Sequence, residues 1–211
     1  IIGSTHLYDT PCNGDVRTDW DGTDWVPSVF SEIDITLSGL TSGAIYDVWR
    51  YIDGSGVRKT GLGNAWTNAT TRSVAKTLKN GVWVNNATVT TVRHNSAGGT
   101  TGSGDSISQY RGVLVGTVRA TGTTTIERST TKSFVSNVYN RADWLLYKFA
   151  SSIHSYAGGP RAYNNDSTQC VEWVDCLGED TLTLNFVGAL AGPGGTQSAL
   201  VGIATVTNAI Y

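Results

Sequence analysis

Three tight-turn dipeptides in the first half of the sequence constrain the fold of this chain more than any other feature. Each lies between apolar or aromatic residues, and together they are Asp21-Gly22, Asp53-Gly54 and Asn80-Gly81. Asp-Gly and Asn-Gly supply the positive φ angles at the centre of a tight turn, which makes them the strongest short signal for a β-hairpin. The sequence therefore predicts an antiparallel sheet.

The composition also favours strands. Hydrophobic residues make up 39% of the 211 residues and charged residues only 15%, whereas roughly a quarter of an ordinary globular chain is charged. Thr and Val are frequent and Met is absent, and side chains branched at Cβ fit a pleated sheet better than a helix. We therefore expect an all-β protein with little or no helix.

Patterning along the chain predicts about twelve strands in one antiparallel β-sandwich domain over residues 1–211. Residues 1–30 could instead form an N-terminal connecting arm. The first residues are Ile-Ile-Gly without an initiator Met, which we interpret as a fragment or a processed product. The predicted strands cover residues 33–37, 46–51, 74–78, 82–85, 88–94, 111–120, 124–128, 133–139, 144–155, 169–176, 182–190 and 200–210.

Individual stretches add detail. In YDVWRYI, residues 46–52, Tyr46 and Val48 point to one face of a strand and Trp49 and Tyr51 to the other, so we expect a second sheet or a subunit to cover it. In TLTLNFVGAL, residues 181–190, apolar and polar residues alternate, which predicts one buried face. We interpret residues 133–151 as strand, turn and strand with the corner at 140–143, and residues 95–106 and 191–198 as long loops.

Charge is distributed unevenly. Residues 1–34 hold seven carboxylates and one Arg, whereas residues 57–148 hold twelve Lys and Arg and three acids. We expect the two segments to neutralise each other within the fold or between subunits, and a polyanion-binding face is the alternative. The net charge of −2 argues against a general nucleic-acid binder. No signal peptide or membrane span is visible, so we expect a soluble domain.

The spacing of the cysteines predicts that they are reduced thiols. Cys170 and Cys176 would be roughly 20 Å apart along a strand, too far for a disulfide. We expect these two and Cys12 to be reduced, buried or half-buried thiols, which fits assembly in a cytoplasm.

Aromatic residues near turns are the candidates for ligand binding. Flat rings stack on sugars, and the possible glycan-stacking residues are Trp20, Trp25, Trp66, Trp83 and Tyr163. Core packing or a subunit interface is the alternative role of these residues.

Catalytic and metal signals are weak. Asp19, Asp21 and Asp24 do not follow the EF-hand order, so we interpret them as solvated acids of a hairpin, with a calcium-supported turn as the alternative. We predict no catalytic residue and no cofactor. A glycoside hydrolase would need two carboxylates, of which Glu172 is one candidate; the others are Asp143, Asp166, Asp175, Glu179 and Asp180.

Several short blocks between Thr18 and Asp180 resemble a domain of structural proteins of tailed bacteriophages, such as tail fibres, head fibres and related virion proteins. The segment 94–109 is longer than that pattern, and Val138 replaces an expected Tyr. The matching blocks are residues 46–48 (YDV), 65–68 (AWTN), 71–72 (TR), 81–82 (GV), 116–117 (GT), Arg119 and residues 139–141 (YNR).

The resemblance implies a non-enzymatic virion surface protein, a fibre or capsid-decoration domain that forms a homotrimer of jelly-roll-like sandwiches. Its partners would be capsid or tail proteins, and it could mediate attachment to a host surface glycan. The resemblance transfers no active site. A carbohydrate-binding receptor-recognition module and a glycoside hydrolase remain the alternatives.

Overall fold

The computed structural model describes residues 4–12, 14–21, 23–96, 101–141, 143–149, 170–178, 181 and 183. Within these residues the protein is all-β and contains no helix, as predicted. The strands are β1 (His6–Asp9), β2 (Val16–Trp20), β3 (Trp25–Val29), β4 (Ile33–Thr36), β5 (Ile45–Ile52), β6 (Arg58–Ala65), β7 (Lys76–Lys79), β8 (Val82–Asn85), β9 (Val89–Thr90), β10 (Arg93–Ser96), β11 (Ser106–Ile107), β12 (Val113–Arg119), β13 (Lys132–Ser133), β14 (Val135–Asn137) and β15 (Glu172–Trp173).

The main sheet has seven antiparallel strands in the order β10-β6-β5-β12-β8-β7, with β14 also paired to β12. Smaller two-stranded sheets are formed by β1 with β4, β2 with β3, β9 with β11, and β13 with β15, the last pair being parallel. The arrangement is sandwich-like. The jelly-roll-like strand order, the number of twelve strands and the single domain stay predictions.

The three hairpin signals are confirmed. Asn80 and Gly81 have φ angles of 52° and 80° and form the two-residue turn between β7 and β8, because Lys79 pairs directly with Val82. Asp21 opens the turn between β2 and β3. In the turn between β5 and β6 the positive φ falls on Gly56 and not on Gly54.

Strand β5 is covered on both faces, as its pattern predicts. Tyr46 and Val48 belong to one buried cluster, which includes Ile33 and Ile35 of β4. Trp49 and Tyr51 belong to a second cluster on the opposite face. Both faces are therefore covered within one chain.

Strand β6 was not predicted. Its sequence RKTGLGNA has no apolar alternation, yet it lies between β5 and β10. A Cβ at Gly61 would lie 2.8 Å from the carbonyl oxygen of Arg93, and one at Gly63 would lie 2.9 Å from Nε1 of Trp49. Glycine occupies both positions because neighbouring groups approach the backbone too closely to leave room for a side chain.

Several predicted strands are wrong in extent. Residues 124–128 form only isolated bridges at Ile126 and Arg128, and residues 143–149 contain no strand. The segments 88–94 and 133–139 are each interrupted, and residues 169–176 are reduced, in their described part, to β15. The predictions for 150–155, 169, 182, 184–190, 191–198 and 200–210 lie outside the described residues.

The predicted loop 95–106 is also partly wrong. Asn95 and Ser96 are buried in β10, and the side-chain amide of Asn95 donates to the carbonyl oxygen of Asp34. Further on, Gly102 pairs with His94 through two backbone hydrogen bonds of 2.9 and 3.1 Å. Cross-strand contacts therefore anchor a segment whose own side chains are small and polar.

Candidate functional site

Two of the predicted glycan-stacking residues come together on the surface. Trp20 and Trp25 face each other across the β2–β3 hairpin with ring centroids 5.3 Å apart and planes tilted by 58°. Beside them lies an open depression of about 360 Å³, whose lining includes Thr18, Trp25, Arg50, Asn80 and Tyr139. The depression combines aromatic rings with hydrogen-bonding groups, a combination suited to a sugar.

Trp20, Trp66 and Trp83 have cations over their rings, and over Trp20 the cation is Nζ of Lys79, 4.7 Å from the ring centroid. The guanidinium of Arg72 lies 4.3 Å from the ring centroid of Trp66, and Nζ of Lys76 lies 3.9 Å from that of Trp83. A cation over an aromatic face occupies the surface that a sugar would stack on. Tyr163 lies outside the described residues.

The charged residues on the strands of the β2–β3 hairpin, Arg17 and Asp19, point inward. Asp19 is fully buried, and its carboxylate contacts Nε of Arg50 at 2.7 Å, Nε of Arg17 at 3.0 Å and Nε of Arg58 at 3.4 Å. Its interpretation as a solvated acid is therefore wrong. The pair with Arg58 also joins the acidic first segment to the basic second one, as the charge pattern predicts.

Asp9 completes this cluster. Its carboxylate accepts hydrogen bonds from Nη1 of Arg17 at 3.1 Å and from the hydroxyl of Thr60 at 2.6 Å. Burial lowers the pKa of Arg17, while the neighbouring carboxylates oppose that shift. Asp21, in contrast, is exposed and accepts the backbone N–H groups of Thr23 and Asp24. Asp19 and Asp21 thus act in different places, one in an ion cluster and one in a turn.

A second buried network joins distant segments and was not predicted. Asp47 accepts from Nε of Arg72 at 2.8 Å and from the hydroxyl of Thr117 at 2.7 Å. The guanidinium of Arg72 also donates to the backbone carbonyl of Cys176, and the Thr117 hydroxyl lies 3.1 Å from its sulfur. Burial raises the pKa of Asp47 despite these partners. An acid within the apolar stretch YDVWRYI is a sequence signal for such a cationic partner.

A third network surrounds Asp105. Its carboxylate accepts from Nζ of Lys59 at 2.7 Å and from the hydroxyl of Tyr51 at 2.8 Å, and Nε2 of His94 lies 3.5 Å away. Burial disfavours the charge on Asp105, but the hydrogen bonds from Lys59 and Tyr51 hold its pKa below the usual value. Burial lowers the pKa of His94. These contacts attach the segment around residue 105 to the main sheet.

Glu172, the first glycosidase candidate, has a cationic partner. Its carboxylate lies 3.1 Å from Nη1 of Arg119, which reaches it from β12. Asp175 accepts the backbone N–H groups of Leu177 and Gly178 in a turn. Asp143 is exposed, and Asp166, Glu179 and Asp180 lie outside the described residues. In the part of the chain that the structure describes, no group of three or more His, Cys, Asp or Glu side chains could hold a metal ion.

The cysteines are thiols and not disulfides, as predicted. The prediction of burial holds only for Cys176, because Cys12 and Cys170 are exposed. Burial raises the pKa of the Cys176 thiol to about 11.

Comparison with protein-family models, with curated proteins and with solved structures gives no match to the chain. The described residues include no helix with the length and apolar character that crossing a membrane requires.

Proposed function

We propose that this chain is a non-enzymatic structural protein of a tailed phage, a fibre or capsid-decoration domain on the virion surface. In this proposal it assembles as a homotrimer of jelly-roll-like sandwiches, contacts capsid or tail proteins, and helps the particle attach to its host.

The observation that carries the proposal is the Asp47 network. Asp47, Arg72 and Thr117 belong to three separate blocks of the phage-like pattern, and Trp66, beneath Arg72, belongs to a fourth. These blocks are far apart in sequence but meet at one buried site. The buried ion pair joins these blocks through hydrogen bonds, and this geometry supports a structural role for them, the role that the resemblance implies.

Exposed apolar side chains support self-association. Leu145 and Phe149 are 77% and 80% exposed, and Trp144 and Tyr147 beside them are 49% and 42% exposed. Contiguous apolar surface of this kind marks an interaction site in a folded protein.

Two measurements test the proposal. Native mass spectrometry of the full chain is expected to give three times the chain mass of 22.4 kDa. Immunogold electron microscopy of particles from the phage that encodes the chain is expected to place label on the virion. A monomer in solution, or intact particles without label, would contradict the proposal.

The depression beside Trp25 favours a carbohydrate-binding receptor-recognition module as the second candidate. A glycan array separates the two, because a decoration protein should bind assembled capsid without sugar preference. If the module binds a glycan, Trp25→Ala should abolish binding on the glycan array, since the aromatic face on which the sugar stacks is lost. Leu78→Ala, at an exposed position on β7, is the matched control and should leave it unchanged.

A further inference from the structure

The outer face of the β2–β3 hairpin is apolar although it faces solvent. Side chains alternate along each strand, so the burial of Arg17 and Asp19 turns their neighbours outward. Val16 and Val29 are direct cross-strand partners and are 62% and 69% exposed. We call this surface the outer hairpin face, and it consists of Val16, Thr18, Trp20, Trp25, Pro27 and Val29.

A second exposed apolar surface lies on residues 144–149, which we call the apolar arm. The arm is fixed to the rest of the protein by a 2.7 Å backbone hydrogen bond from Tyr147 to Thr130. The rings of Tyr147 and Phe149 lie 5.1 Å apart, so the arm presents aromatic side chains next to the exposed Leu145.

The charges around the two surfaces are complementary. The exposed charged residues of the hairpin segment 14–32 are all carboxylates, namely Asp15, Asp21, Asp24 and Glu32. They outnumber the cations that lie against the hairpin, which are Arg111, whose Nη1 donates to the carbonyl oxygen of Asp21, and Lys79, whose Nζ lies 4.7 Å from the ring centroid of Trp20. The arm ends with the exposed Lys148 next to Phe149, and the exposed Arg141 and Asp143 precede the arm. Attraction therefore favours contact between the hairpin and the arm, whereas two hairpin faces would bring like charges together.

We propose that the outer hairpin face of one copy binds the apolar arm of a neighbouring copy of this chain. Two different surfaces meet in this contact, so the interface is heterologous, and repeated rotation closes it into a ring. This inference rests on the proposed homotrimer, since three copies joined in this way leave neither surface exposed.

Charged substitutions at exposed positions test the contact. Val29→Asp alters the hairpin face, Leu145→Asp alters the arm, and Leu78→Asp on β7 is the control because Leu78 is 56% exposed and belongs to neither surface. Native mass spectrometry should give trimers for the wild-type chain and for L78D, and monomers for V29D and L145D. Circular dichroism should give the same strand spectrum for all four proteins.

Mixing the two disrupted variants tests the heterologous geometry. L145D keeps an intact hairpin face and V29D keeps an intact arm, so an equimolar mixture should form a heterodimer with one working contact. A mixture that stays monomeric would overturn the hairpin-to-arm contact. Trimers that persist in both single variants would overturn this interface alone, whereas a monomeric wild-type chain would overturn the proposed homotrimer itself.

Discussion

Nε of Arg72 donates a hydrogen bond of 2.8 Å to the carboxylate of Asp47, which is buried in strand β5. The two residues are 25 positions apart in sequence. The pair holds the loop before β7 against the centre of the main sheet, and the guanidinium also lies over the ring of Trp66. This relationship predicts where the fold is most sensitive to the loss of a single charge.

Arg72→Ala should destabilise the protein strongly. Removing one partner of a buried ion pair leaves the other charge unpaired, which typically costs about 3–5 kcal/mol in free energy of unfolding. Arg72→Lys should lose less, because it keeps the charge but not the planar group that stacks on Trp66. Urea denaturation measures both. Arg111→Ala is the control, since Arg111 is exposed and its loss should stay within about 0.5 kcal/mol. Equal losses for Arg72→Ala and Arg111→Ala would contradict the buried pair.

Tyr51→Phe should change the response of stability to alkaline pH. Burial raises the pKa of Tyr51 above its ordinary value of 10.0, and the hydrogen bond to Asp105 adds to the shift. The folded protein therefore keeps the phenolic proton at pH values where the unfolded chain loses it. The contribution of the neutral Tyr51 phenol to the stability of the folded protein is complete below about pH 10 and falls as the pH rises further.

The Tyr51→Phe protein should thus lose about 1 kcal/mol at pH 7, because the half-buried carboxylate of Asp105 loses a donor. Between pH 10 and 12 its stability should decline less steeply than that of the wild type. Thermal unfolding across this range measures the slope, with Tyr8→Phe at an exposed position as the control. If the stability of Tyr51→Phe falls between pH 10 and 12 as steeply as that of the wild type, a group other than Tyr51 causes the alkaline loss of stability.

The hairpins were predictable because their signals are local. Asn80 and Gly81 adopt positive φ angles without help from the rest of the chain. Strand β6 follows the Asp53-Gly54 turn, but its own residues carry no strand pattern. They become a strand through pairing with β5 and β10. The glycines of β6 reflect contacts with Arg93 and Trp49, which no local pattern reveals.

The candidate site was predictable to a similar degree. The pairing of Trp20 with Trp25 follows from the hairpin signal between them, so this part of the site is implied by a local pattern. The inward orientation of Asp19 was not expected, because alternation shows which residues share a face but not which face is buried. Three arginines contact Asp19, and Arg50 and Arg58 come from other strands.

Gly116→Ala should destabilise the main sheet. A Cβ at Gly116 would clash with the backbone carbonyl oxygen of Ser136, which belongs to the adjacent strand β14. Because a paired backbone cannot move aside cheaply, a loss of about 1–3 kcal/mol is expected. Gly54→Ala is the matched control, since a Cβ there meets nothing within 4 Å. Differential scanning calorimetry should give a lower melting temperature for Gly116→Ala only, and equal melting temperatures would contradict the close strand contact.

Cys176 should resist alkylation in the folded protein while Cys12 reacts. Burial raises the pKa of the Cys176 thiol to about 11, and the thiolate is the reactive form. At pH 8 we expect iodoacetamide to modify Cys176 at least about a hundredfold more slowly than the exposed Cys12. Peptide mass spectrometry after timed quenching measures both rates. In guanidinium chloride, which unfolds the chain, the two rates should become similar. Rapid modification of Cys176 in the native protein would mean that the segment around residues 170–178 opens from the Asp47 network, which would also weaken the structural role assigned to Arg72.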